Sequence, residues 1–180
     1  MALVAFLRGV NVGGHKTFRP SVIAKQLSDY DVVNVGAAGT FVVRRPISQS
    51  KLRAEFLKRL PFEAEIMICS ARDILSLASR DPFAGEPSGA DVVRFVSISA
   101  KRPQALPLLP LSLPSDGDWL LKIIGVQDSF ILGLYRRQMK AISYLSQIEK
   151  RMGVRVTTRN WNTITAIVKL VSLTESEARS

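Results

Sequence analysis

Val32-Val-Asn-Val-Gly-Ala-Ala-Gly-Thr-Phe-Val-Val43 reads as two short β-rich runs, Val32–Val35 and Thr40–Val43, around a turn with a glycine at each end. Glycine admits the positive φ that tight turns need, so the spacing predicts a hairpin and an antiparallel sheet. On its N-terminal side, Leu3 to Leu7 is a continuous apolar run, the pattern of a strand buried on both faces. Pro20 suits the first turn of a helix, and Ile23, Leu27 and Tyr30 recur at helical spacing after it. On the C-terminal side, Ser48 or Ser50 can cap a helix whose Leu52, Phe56 and Leu60 share one face, with Pro61 ending it. A strand over Glu65–Cys69 completes the order β-α-β-β-α-β. Ser70 and Asp73 then resemble a capping box opening a connecting helix that Asp81-Pro82 stops.

The order then repeats. Val92–Ile98 alternates as a strand, and Trp119–Ile124 and Phe130–Tyr135 form a second hairpin across Gly125–Ser129. Ile142, Leu145, Ile148 and Met152 predict one helix closed by Gly153, and Val154–Thr157 predicts a last strand. Trp161, Ile164, Val168 and Val171 line a final helix. The segment from Pro103 to Pro114, with prolines at 103, 107, 110 and 114, stands where the second copy needs its first helix and is poor helix material. The chain is therefore expected to be α+β, with two βαββαβ halves, mainly antiparallel sheets and helices on one face. The expected divisions are 1–84 for the first half with the connecting helix, 90–174 for the second half with the C-terminal helix, and 175–180 for a frayed tail.

Composition narrows the function classes. The 180 residues carry a net charge of +10, with 12 Lys/Arg against 8 Asp/Glu in the first 90 residues and 13 against 7 in the rest. Between 136 and 159, Arg136, Arg137, Lys140, Lys150, Arg151, Arg155 and Arg159 meet only Glu149. Such a run attracts polyanions if it forms one surface, or is merely a solvated face. Cys69 is the sole cysteine and His15 the sole histidine, which excludes an internal disulfide framework and the usual zinc sites. No apolar stretch approaches the roughly 20 residues of a membrane span, and the apolar N-terminus lacks the basic start of a secretory signal. The expectation is a cytoplasmic protein with no cofactor, no metal and no membrane partner.

Two strand-to-helix junctions are candidate ligand sites. The first is Arg8-Gly-Val-Asn-Val-Gly-Gly-His-Lys16, where Arg8, Asn11, Gly13, Gly14 and Lys16 would offer donors near a helix start. It matches neither the dinucleotide fingerprint nor the P-loop, so a tight turn is the competing reading. The second is Thr157-Thr-Arg-Asn-Trp-Asn-Thr163, where Arg159, Asn160 and Asn162 are the polar candidates and Trp161 a core anchor. Arg136, Arg137, Lys140, Lys150, Arg151 and Arg155 form the candidate basic surface. His15 is expected in solvent and Cys69 buried. Asp116 and Asp118 are read as turn residues.

These segments together resemble a bacterial family of proteins of unknown function, DUF1697. Phe6-Leu-Arg-Gly-Val-Asn-Val-Gly-Gly14, Thr158-Arg-Asn-Trp-Asn-Thr163 and Asp81-Pro82-Phe83 carry the likeness, which runs over essentially the whole chain. The first hairpin departs from it, with Ala38-Gly39-Thr40 where members usually have Ser-Gly-Asn. The resemblance implies two tandem ferredoxin-like halves and no established activity. Three functions stay open. One is a binding module for nucleic acid or a phosphorylated small molecule. Another is a small-molecule enzyme with a site between the 8–16 and 157–162 loops, and the last is a purely structural or interaction protein.

Overall fold

The computed structural model describes residues 1–177 and the side chains through Leu173. It divides into two compact units, Met1–Arg80 with Asn162–Ser180, and Asp81–Trp161. The expected division put the last helix with the second half. Instead it falls with the first unit from Asn162 onward.

In the first unit the elements are β1 (Leu3–Leu7), α1 (Pro20–Gln26), a 3-10 turn (Ser28–Tyr30), β2 (Val32–Asn34), β3 (Thr40–Val43), α2 (Gln49–Arg59), β4 (Ile66–Ser70) and α3 (Ala71–Ser79). The sheet runs β2-β3-β1-β4 with every neighbour antiparallel. Its local determinants are those the residues announce. Pro20 opens α1, Ser48 Oγ accepts the Lys51 N–H at the start of α2, and Ser70 with Asp73 forms a complete capping box on α3. Leu3, Ala5 and Leu7 pack with Ile23, Leu27, Leu52 and Phe56 into one core, where Phe41 and Phe56 rings meet at 4.9 Å. Val4, Phe6, Val42 and Met67, pointing the other way, have no exposure at all. Both faces of this sheet are therefore covered, not one. That agrees with the unbroken apolar run of β1 better than a one-sided sheet does.

In the second unit the elements are β5 (Val92–Ser99), β6 (Leu111–Leu113), β7 (Leu121–Gln127), β8 (Phe130–Arg136), α4 (Met139–Leu145), α5 (Gln147–Met152) and β9 (Val156–Asn160). Their sheet runs β6-β7-β8-β5-β9, again antiparallel throughout. Phe95 on β5 lies across Gly133 on β8, where a Cβ would come within 2.5 Å of the ring. Only glycine leaves room for that aromatic in the core with Ile123, Ile131 and Ile148.

Four expectations are corrected here. The proline segment, read only as poor helix material, contributes a strand, because Leu111–Leu113 pairs with Leu121–Ile123 as an added edge. Proline is tolerated beside an edge that needs no further ladder bonds. The second hairpin turns on Asp128-Ser129 only, while Gly125 sits inside β7 at an irregularity in the pairing with β8. The single helix expected across Ile142–Met152 breaks at Ser146. Ser143 and Ser146 turn their hydroxyls onto carbonyls three residues back, at 2.7 and 2.6 Å, and compete with the helical ladder. Ile142 is consequently exposed and Ala141 buried. Lastly, the final strand is later than expected, at Val156–Asn160. The helix α6 (Trp161–Glu177) follows without a loop and reaches into the expected tail. The rest of that expected tail, 178–180, lies outside the described residues. Among the described residues no helix is long and apolar enough to cross a membrane.

Gly39 sits at φ +76 in the first hairpin, and a Cβ there would lie 2.7 Å from Val10 and 2.9 Å from Leu7. Gly36 has φ +68 but open space around it. Gly39→Ala is expected to cost about 2–4 kcal/mol in urea unfolding, strain plus overpacking, and Gly36→Ala about 1 kcal/mol.

Candidate functional site

Between β1 and α1 the chain closes on itself. The Asn11 N–H donates to Lys16 O at 3.1 Å and the His15 N–H to Val12 O at 2.9 Å, with Gly9, Asn11, Gly13, Gly14 and Lys16 all at positive φ. Asn11 is the latch of this loop. Its Nδ2 donates to Ala37 O at 2.8 Å in the first hairpin, and its Oδ1 accepts the Phe18 N–H at 2.9 Å. Lys16 Nζ donates to Glu63 O at 3.0 Å, and Arg8 lies 3.7 Å from the Glu65 carboxylate. The polar groups nominated as ligand donors thus tie three loops together. The glycines do not open directly onto a helix end, as expected from sequence. Thr17 to Arg19 intervene, α1 is only seven residues long, and Pro20 at its first position has no N–H to offer. Gly13 and Gly14 form the exposed tip beside an exposed His15. Among the described residues nothing accepts from the two glycine N–H groups.

The departure at Ala38-Gly39-Thr40 can be placed in the same geometry. Asn11 reaches this turn through the backbone carbonyl of Ala37, which requires no particular side chain, while Gly39 is packed under Val10 and Thr40 is fully buried.

Arg159 and Asn160 belong to the second unit, and lie in β9 rather than in a loop. Register against β5 points Arg159 inward, leaving it 6% exposed. Its Nη1 donates to Thr157 Oγ1 at 2.7 Å and to Thr158 O at 2.9 Å. Burial pushes its guanidinium pKa down to about 10, so it still carries its charge at neutral pH. The neighbouring Thr158 hydroxyl meets Ser97 across the strands at 2.6 Å. Arg159 is therefore a buried charge with internal partners. Asn160 is exposed at the end of β9 and Asn162 in the first turn of α6. Trp161 packs edge-on against Phe83 with centroids 5.0 Å apart, as an anchor should.

The basic run from 136 to 155 does not form one surface. Arg136 pairs with Val92 at the start of β5, whereas Val156, next to Arg155, pairs with Ser99 at its end. An eight-residue strand separates these by about 23 Å. At the first end Arg136 binds Asp91 at 2.6 Å and stacks 4.1 Å from the Trp119 centroid, and Arg137 donates to Ala90 O at 2.8 Å. Lys140 lies beside them, exposed. At the second end, the Gln104 and Ala105 N–H groups donate to Met152 O at 2.9 and 3.2 Å. This brings Lys101 and Arg102, which the sequence reading missed, alongside Lys150, Arg151 and Arg155, all exposed. A Lys-Arg pair directly after a strand was the available clue.

Other candidates resolve simply. Cys69 is buried, and burial raises its thiol pKa far above the ordinary value, which removes it as a nucleophile. Phe41, Phe95 and Phe130 are buried, so none is a stacking platform for bases. Asp116 and Asp118 flank Gly117 at φ +80 in an exposed turn, as read. Among the described residues no group of three His, Cys, Asp or Glu could hold a metal.

Residues 1–112 match the family described as Protein of unknown function (DUF1697), so the match holds the Phe6–Gly14 and Asp81–Phe83 segments and ends before Thr158–Thr163. No curated protein sequence matches the chain. Among solved structures it is similar to the conserved bacterial protein SP0830 from Streptococcus pneumoniae, at 16% identity and a TM-score of 0.55, over 93% of this chain and 97% of that one. At that identity the likeness speaks for the fold alone.

Asn11→Ala loses both side-chain bonds and places an alanine at φ +53, which is expected to destabilise the protein by about 2 kcal/mol. Asn11→Gly, free of the strain, should lose about half as much in the same urea titration. A thiol reagent at pH 8 is expected to leave Cys69 untouched until the protein is unfolded.

Proposed function

We propose that this chain, which belongs to the DUF1697 family, is a binding protein for a phosphate-bearing polyanion, held at one basic end of its second unit. The observation that carries this is the meeting of Lys101, Arg102, Lys150, Arg151 and Arg155 where β5 stops and β9 starts. Among the described residues, two carboxylates are engaged beside this cluster. Asp128 pairs with Arg102, and Glu149 receives the Val156 N–H at 2.9 Å. Five exposed cations against two carboxylates, with Arg102 already paired to Asp128, still leave a net positive local field that favours a multiply charged partner.

For the Arg8–Lys16 loop we favour a structural role, supported by the use of Asn11 and Lys16 as ties between loops. We assign no reaction. We also infer that both sheets follow one ferredoxin-like βαββαβ plan. The matching orders β4-β1-β3-β2 and β9-β5-β8-β7 support this, with the proline segment and β6 in place of the second copy's first helix. A single, buried cysteine suits a reducing, cytoplasmic setting.

The test is fluorescence anisotropy of a labelled single-stranded oligonucleotide, used as a generic phosphate polyanion, across a salt series. Binding is expected to weaken steeply with salt, by a logarithmic slope of about 0.7 per phosphate contacted. The triple variant Lys150→Glu, Arg151→Glu, Arg155→Glu should bind at least tenfold more weakly with a slope reduced by about 2. Lys140→Glu, at the other end of the sheet, should change little. No binding at low salt, or equal losses from both variants, would sink the proposal.

A further inference from the structure

Leu106 and Leu108 are 67% and 94% exposed. Both stand in Pro103-Gln-Ala-Leu-Pro-Leu-Leu-Pro110, the segment that links β5 to β6. Single exposed leucines are common and need no explanation. These two differ in their company. The segment begins with Gln104 and Ala105 bonded to Met152 O, so Leu106 follows directly from a contact with the C-terminal end of α5, which carries Lys150 and Arg151. Lys101 and Arg102 immediately precede it. Prolines at 103, 107 and 110 fix φ on both sides of the leucines, so holding them outward costs little additional chain entropy.

A nucleic-acid backbone gives such leucines nothing to bury, and the cluster offers no aromatic ring for base stacking. A lipid interface takes both features at once. Aliphatic side chains enter the acyl boundary while the cations around them meet the headgroup phosphates. We propose that this end of the second unit docks peripherally on an anionic lipid surface, with Leu106 and Leu108 inserted and Lys101, Arg102, Lys150 and Arg151 on the phosphates. This inference rests on the polyanion reading above and specifies its partner. It requires no membrane-spanning element.

The experiment is co-sedimentation of the full chain with phosphatidylcholine vesicles, with and without phosphatidylglycerol, beside the oligonucleotide titration. Three proteins are compared: the wild type, Leu106→Ser with Leu108→Ser, and Lys150→Glu with Arg151→Glu. Since all four positions are exposed, the variants are expected to melt as the wild type does. Binding should require phosphatidylglycerol. It should fall about fivefold or more for each reversed cation, and roughly tenfold for the leucine pair. The leucine variant should bind the oligonucleotide as the wild type does. Oligonucleotide binding without vesicle binding would overturn the lipid inference and leave the polyanion reading intact. Vesicle binding unaffected by the leucine variant would overturn insertion. Binding to neither would end both. Self-association without vesicles that the leucine variant abolishes would assign this loop to a second copy of the chain instead.

Discussion

A strand with hydrogen-bonded neighbours on both edges has no backbone donors or acceptors to spare, and one buried on both faces has no side chains to offer either. β1 is such a strand, and so is β5 from Phe95 to Ser99. Each is paired antiparallel on both sides, and the five residues of β1 are all buried. What remains for recognition must come from the ends of the strands and the connections beyond them. That constraint shapes both units. The loop after β1 closes on itself and is fastened through Asn11, while the connections at the two ends of β5 collect the charges of the second unit.

Charge shows the same constraint in a different form. Arg159 is the one basic residue of the 136–159 run placed within a strand on an inward-facing position, and it is buried with a hydroxyl and a carbonyl among its partners. The others lie where strands and short helices start or stop. Because β5 holds those ends about 23 Å apart, neighbouring charges in sequence become two separate groups. At one end the arginines are used on Asp91, Ala90 and Trp119 and act as structure. At the other, the cations stand close to the exposed leucines of the proline segment, the arrangement on which the proposed lipid contact rests.

Much of the fold was readable because its determinants are local. Pro20, Ser48 and the Ser70–Asp73 box act within one helical turn, and Gly36 and Gly39 act within one hairpin. Where the residues misled, a distant partner decided in two cases and a local competition in the third. β6 has three residues and prolines on both sides, so nothing in its own sequence marks it as a strand until β7 pairs with it. The late position of β9 follows from its register with β5, which leaves Arg159 facing inward. The serines that split α4 from α5 outcompete an apolar spacing that, by itself, described one helix.

From its residues alone this chain was determined to be α+β, with a glycine-rich loop after its first strand and a strongly basic balance. Those properties depend on periodicity, caps and turn chemistry, which act over a few residues. Tertiary structure alone decided which donors are already engaged, which cations share an end, and that Lys101 and Arg102 stand beside Lys150 and Arg151. Such neighbours are set by pairing between strands far apart in the chain, and no local pattern encodes that distance.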